Sequence, residues 1–248
     1  MRTLLLVLLL PFLSTPGFAG PSGKPAKLKV LRTVPHSGYS EGLDFHGGYL
    51  WHSLPKEFVK IDPKDGTVVK RFPPATAYNE SLSWFKGNLF VASYSDNGFY
   101  KGTLNGDALS FERVGSVPEA HAWGVTNDGT DLFVTGNYSR HIYRLDAKTF
   151  AIKNTLVTDV NDVEDLAWDG TSLWSSSYTQ YRGTIFRIDP LTGETSHFAE
   201  LPKPDDCPVI DGIANVGDTL WITGKNCTSI YNVKTPRIER AISKTKKP

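Results

Sequence analysis

Five segments of the chain place one side chain two residues ahead of an apolar one, and four of those five side chains are acids. They are Glu41 in Ser40-Glu41-Gly42-Leu43, Glu80 in Asn79-Glu80-Ser81-Leu82, Trp123 in Ala122-Trp123-Gly124-Val125, Glu164 in Val163-Glu164-Asp165-Leu166 and Asp211 in Ile210-Asp211-Gly212-Ile213. Carboxylates gathered at one place repel each other. The repulsion is relieved by protonation, which lifts pKa values into the range where a carboxyl works as a general acid or base, or by drawing in a cation. The pattern therefore offers proton-transfer chemistry centred on Glu80, or a hard-oxygen calcium site built from Glu41, Glu80, Glu164 and Asp211. The blander reading is that the acids cap strand starts and accept from backbone amides, and that Trp123 simply packs. Recurrence in four of five repeats favours a site, provided the fold brings the segments together.

The chain supplies such a fold through a repeat. The apolar positions 43, 82, 125, 166 and 213 are 39, 43, 41 and 47 residues apart, which is the length of a propeller blade. Each segment is followed by a Gly or Asp turn and an aromatic strand: Tyr49-Leu50-Trp51, Asn88-Leu89-Phe90, Asp131-Leu132-Phe133, Ser172-Leu173-Trp174 and Thr219-Leu220-Trp221. Third strands of period two come next, ended by turns such as Asp62-Pro63-Lys64-Asp65-Gly66, and outer strands are expected near Thr67 to Arg71, Leu109 to Val114, Ile152 to Leu156 and Glu194 to Phe198. No helical period competes. Five four-stranded antiparallel units set radially make an all-β fold, a five-bladed β-propeller over residues 20–248. Either Leu28 to Thr33 or Arg237 to Ile242 completes the last blade.

In such a ring the first strands line the axis, so Glu41, Glu80, Trp123, Glu164 and Asp211 open on the channel mouth. The second strands return to the same face, where the position five beyond each Leu is Pro55, Tyr94, Asn137, Tyr178 or Lys225. Two concentric rings therefore share one mouth, and Lys225 adds an ammonium to four acids.

The rest of the chain narrows the setting. Arg2, the apolar run Leu4 to Leu13 and the small-residue exit Gly17-Phe18-Ala19 read as a signal peptide over residues 1–19, which implies a secreted or periplasmic protein. No other apolar run is long enough for membrane insertion. A net charge of +1 gives no field to attract nucleic acid, and the basic run Lys244, Lys246, Lys247 reads as a solvated tail. A monomer is expected. Cys207 and Cys227 can pair in an oxidising compartment, where their disulfide would brace Lys225. His36 and His121 lie near the mouth in sequence, but no Ser or Cys partner accompanies them.

From about Pro35 to Val233 the chain resembles the plant and bacterial type of glutaminyl cyclase, a five-bladed propeller that converts N-terminal glutamine to pyroglutamate with release of ammonia. The family's Phe-Thr-Gln-Gly-Leu stretch resembles Tyr39-Ser40-Glu41-Gly42-Leu43, and its Gly-Glu-Gly-Leu, with the catalytic glutamate, is similar to Asn79-Glu80-Ser81-Leu82. Its Gly-Trp-Gly-Leu-Thr-x-Asp-Gly is close to the segment from Ala122 to Gly129, and its Val-Thr-Gly-Lys to Ile222-Thr223-Gly224-Lys225. The departures fall in the site: the family's Gln is Glu41, its Asn-Glu-Leu is Glu164-Asp165-Leu166, its Asn-Gly-Ile is Asp211-Gly212-Ile213, and Tyr94 and Tyr178 replace tryptophans. Amides have become acids, which only accept when ionised.

Three functions fit. In the first, the resemblance implies a cyclotransferase without cofactor, in which Glu80 shuttles the proton and Lys225 polarises the amide carbonyl. Trp123, Tyr94 and Tyr178 would wall the pocket, and Glu41 with Glu164 would hold the substrate ammonium. In the second, the acids bind calcium for lactone or ester hydrolysis. In the third, the mouth binds a small cationic ligand or a protein loop and catalyses nothing.

Overall fold

A computed structural model of the chain describes residues 24–35, 38–179 and 182–235; the apolar N-terminal segment, His36, the stretch from Arg237 to Ile242 and the basic tail lie outside the described residues. The inner strands are Gly42–His46, Asn79–Phe85, Ala122–Asn127, Val163–Trp168 and Val209–Val216, and each leads outward into its own antiparallel sheet. Neighbouring inner strands pack against each other in the order first to fifth, and the fifth packs on the first, so the five sheets close a ring. The molecule is a five-bladed β-propeller.

The alternation expected of half-buried strands is visible in what each strand hides. In the third strands Glu57–Ile61, His141–Leu145 and Thr184–Ile188, an arginine or lysine at the fourth position is half-buried between buried neighbours. The turns that follow are built by aspartates: the carboxylate of Asp189 accepts from the backbone N–H groups of Leu191 and Thr192, and Asp146 does the same for Lys148 and Thr149. Side chains from adjacent blades meet in wedges, so among the described residues the core is five clusters instead of one. Leu43, Leu50 and Ile61 of the first blade, for example, meet Trp221 and Ile230 of the fifth.

The fifth blade is completed from the other end of the chain. Val30–Pro35 pairs antiparallel with Ser229–Lys234, with Thr33 opposite Tyr231 and Pro35 opposite Ser229. The N-terminal candidate therefore closes the ring, two residues later than expected. Leu28 is buried instead in the wedge between the fourth and fifth blades, while Ala26–Lys27 runs parallel to Thr195–Glu200 as a fifth strand of the fourth blade.

Where the inner strands converge, little room remains. The layer just below the mouth is Gly42, Ser81, Gly124, Asp165 and Gly212. A Cβ on Gly42 would lie 2.6 Å from the Ser81 backbone, and one on Gly124 would lie 2.3 Å from the Glu164 carbonyl. Asp165 fills the axis. One of its oxygens accepts from the backbone N–H of Leu43 at 3.2 Å and of Ile213 at 2.9 Å; the other accepts from its neighbour Leu166 at 2.8 Å and from the Ser81 hydroxyl. Ser81 Oγ in turn accepts from the N–H of Val125 at 3.2 Å. One carboxyl thus ties all five inner strands and plugs the channel beneath the mouth.

Candidate active site

The mouth residues are aimed by a local irregularity that four blades share. Pairing between inner and second strand slips between Asn79 and Leu82, Ala122 and Val125, Val163 and Leu166, and Ile210 and Gly212. A bulge inserts an unpaired residue and turns its side chain out of register. Glu80, Trp123, Glu164 and Asp211 stand at these slips. The first blade pairs regularly, and Glu41 directly precedes its strand with its N–H donating to the Ser53 carbonyl at 3.0 Å.

All five side chains are buried, as is Lys225 at the end of Thr219–Lys225. The Lys225 ammonium lies 2.5 Å from Asp211 Oδ2 and 3.0 Å from Glu41 Oε2, and the hydroxyl of Tyr78 donates to the other oxygen of Glu41. Burial pushes the Glu41 carboxyl up to about 8, with the charge of Asp211 adding to the rise and Lys225 opposing it. Burial, then Asp211 and Glu41, hold Glu80 well above the ordinary glutamate range. Burial and Asp211 do the same for Glu164. Burial would depress Lys225, but Asp211, Glu164, Glu80 and Glu41 together reverse this and keep it charged. The group thus sets one firm cation among three glutamates, Glu41, Glu80 and Glu164, that favour their protons. A neutral buried acid can donate as well as accept.

Above this layer lies a cavity of about 160 Å³ lined by Glu80, Lys225, Trp123 and five tyrosines, Tyr39, Tyr78, Tyr94, Tyr138 and Tyr178. Glu80, Lys225, Trp123, Tyr94 and Tyr178 meet there as expected. Glu41, Glu164 and Asp211 converge on the same centre but do not line the cavity; they lie beneath its wall, Glu41 behind the Tyr78 hydroxyl. Pro55 and Asn137 of the second ring do not line it either. Asn137 exchanges hydrogen bonds with the backbone of His121, whose ring stacks on Tyr94 at 4.3 Å and supports the wall from outside. Tyr39, Tyr78 and Tyr138 were not singled out as site residues. Tyr39 and Tyr78 stand two residues before Glu41 and Glu80, a spacing the sequence offers in the first two blades, and Tyr138 follows Asn137 by one.

Glu41, Glu80 and Asp211 can bring one oxygen each within 4.8 Å of one another, a spacing open to a cation, whereas Glu164 does not join that set. The Lys225 ammonium already sits against two of the three. Cys207 and Cys227 are bonded, closing a loop that ends beside the Val209 and Lys225 pair, so the base of Lys225 is braced covalently.

A family model described as glutamine cyclotransferase matches residues 3–235. No curated protein matches the sequence. Among solved structures, glutaminyl cyclase from Myxococcus xanthus is similar, with a TM-score of 0.71 and 16% identity over 85% of this chain and 98% of that one. The PQQ-bound form of aldose sugar dehydrogenase from Streptomyces coelicolor shares the ring with a TM-score of 0.55 and 13% identity over 87% and 99% of the two chains. Virginiamycin B lyase from Staphylococcus aureus does so with 0.50 and 17% over 81% and 66%. At these identities the solved structures speak for the fold, and the sequence match across nearly the whole chain speaks for the lineage. The chain belongs to the glutamine cyclotransferase family.

Proposed function

We propose that the mouth cavity cyclises the N-terminal glutamine of a peptide, with Glu80 and Lys225 as the catalytic pair. The neutral α-amine attacks the side-chain amide carbon, the new C–N bond closes the lactam, and the old C–N bond breaks to release ammonia. Glu80 gives its proton to the departing nitrogen and takes one from the attacking nitrogen, so it ends as it began. This requires an acid that is protonated where the substrate amine is neutral, and burial of Glu80 among acids favours that form. The Lys225 ammonium, pinned between Asp211 and Glu41, faces the developing charge on the carbonyl oxygen. The observation that carries the reading is that Glu80 and Lys225 line one cavity while Glu41 and Asp211 hold the ammonium from beneath.

In this scheme no metal is needed, because Lys225 supplies the positive charge a cation would bring. One ring contains the whole site, so a monomer suffices. The apolar N-terminal segment and the Cys207–Cys227 bond support export to an oxidising compartment. The test is ammonia release from a Gln-initiated peptide, with and without chelator, for the wild type and Glu80→Gln. Release indifferent to chelator and lowered at least about a hundredfold in the variant is expected. Release abolished by chelator would favour the metal-dependent hydrolase site, and binding of the peptide without release would leave a binding protein.

A further inference from the structure

A cavity of about 160 Å³ is smaller than the ~300–1,000 Å³ clefts that enclose drug-sized ligands, so it takes one terminal residue and leaves the next at its rim. That rim is aromatic. Tyr138 and Tyr178 are 64% and 43% exposed, and each sets its ring edge-on to buried Trp123. The centroids are 5.2 Å apart at 68° for Tyr138 and 5.9 Å apart at 62° for Tyr178. Both tyrosines and the indole line the cavity, with the tyrosines on its exposed side. Tyr138 is held there by a left-handed backbone, φ 52°, a conformation that costs energy for any residue with a Cβ. Its exposed side chain fills no core, so the strain serves its position. Tyrosine suits such a place because its ring offers large, rigid contact area at low entropic cost.

We propose that Tyr138, Trp123 and Tyr178 form a subsite for the second residue of the substrate and select an aromatic side chain there. This deepens the cyclisation reading and rests on it for which residue comes second. A ring lying against these exposed tyrosines can pack edge-to-face or offset-stacked, which corresponds to a preference of about two- to tenfold over a small side chain.

The experiment compares kcat/KM for a Gln-Phe and a Gln-Gly peptide on the wild type, Tyr138→Ala and Tyr138→Phe, and measures by calorimetry the Kd of the products pyroglutamyl-Phe-amide and pyroglutamyl-Gly-amide. The expected result is a two- to tenfold preference for Phe in rate and in binding, retained in Tyr138→Phe and lost in Tyr138→Ala. Equal values for the two peptides, or a preference that survives Tyr138→Ala, overturns the subsite. If the wild type releases no ammonia yet binds the Phe product more tightly, the reaction falls and the subsite stands. If it releases ammonia without preference in rate or binding, the subsite falls and the reaction stands.

Discussion

Tyr78 connects the cavity wall to the acids beneath it, because its hydroxyl donates to Glu41 while the other oxygen of Glu41 holds Lys225. Tyr78→Phe keeps the ring and removes that donor, so the Glu41 carboxyl that positions Lys225 is no longer fixed; steady-state kinetics should show kcat lowered about tenfold with KM little changed. A raised KM with unaltered kcat would make Tyr78 a wall and nothing more. The acids also predict an unusual pH dependence. An unfolded glutamate releases its proton near 4.5, whereas folded Glu41 holds its proton to about 8 and Glu80 and Glu164 are raised as well. The stabilisation from these protons is complete below about 4.5 and is lost as pH climbs through the folded values, at a slope of at most about 1.4 kcal/mol per pH unit for each proton. Thermal unfolding should therefore show a lower Tm at pH 8 than at pH 5, and Glu41→Gln, which removes one titrating proton, should narrow the gap. The residue types at the mouth could be read from the sequence because five repeats placed them in register. Which acids reach the cavity could not, since that depends on how Tyr78 and Lys225 lie across Glu41 and Asp211.

At the level of the strand, the decisive device is the bulge that recurs at Glu80, Trp123, Glu164 and Asp211. Strands, turns and blade boundaries were legible because period-two alternation and Asp-Gly turns are local signals. The bulges were not, because a register slip is a relation between two strands. The closing strand was ambiguous for a similar reason: two strand-like segments far apart in sequence fit one vacant edge, and only packing against the fourth blade separates Leu28 from the strand that follows it. Gly124 shows how tightly the slip is held. Its missing Cβ leaves room for the Glu164 carbonyl, so Gly124→Ala should push the third and fourth inner strands apart and destabilise the fold by about 1–3 kcal/mol in urea unfolding. An unchanged midpoint would show that the strands can part without loss.

For the whole ring, Asp165 matters more than its place in the sequence suggests. The eye falls on Glu164, which aligns with the other mouth acids, while the neighbouring Asp165 meets an axis that four small residues have left open. Asp165→Ala would leave buried N–H groups of the first and fifth blades without acceptors and free Ser81 from its partner. At about 1–3 kcal/mol for each orphaned group, that loss approaches the stability of a typical domain, and the variant should unfold at a much lower denaturant concentration or fail to fold. A small change in midpoint would mean that water replaces the carboxylate.

The closing strand has a consequence in time. Val30–Pro35 leaves the ribosome long before its partner Ser229–Lys234. Until that partner arrives the fifth blade is incomplete, and that blade carries Ile213 of the carboxyl knot and Lys225 of the site. The intervening blades can be laid down one after another, but the ring is closed in a single later event, when two segments far apart in sequence find each other.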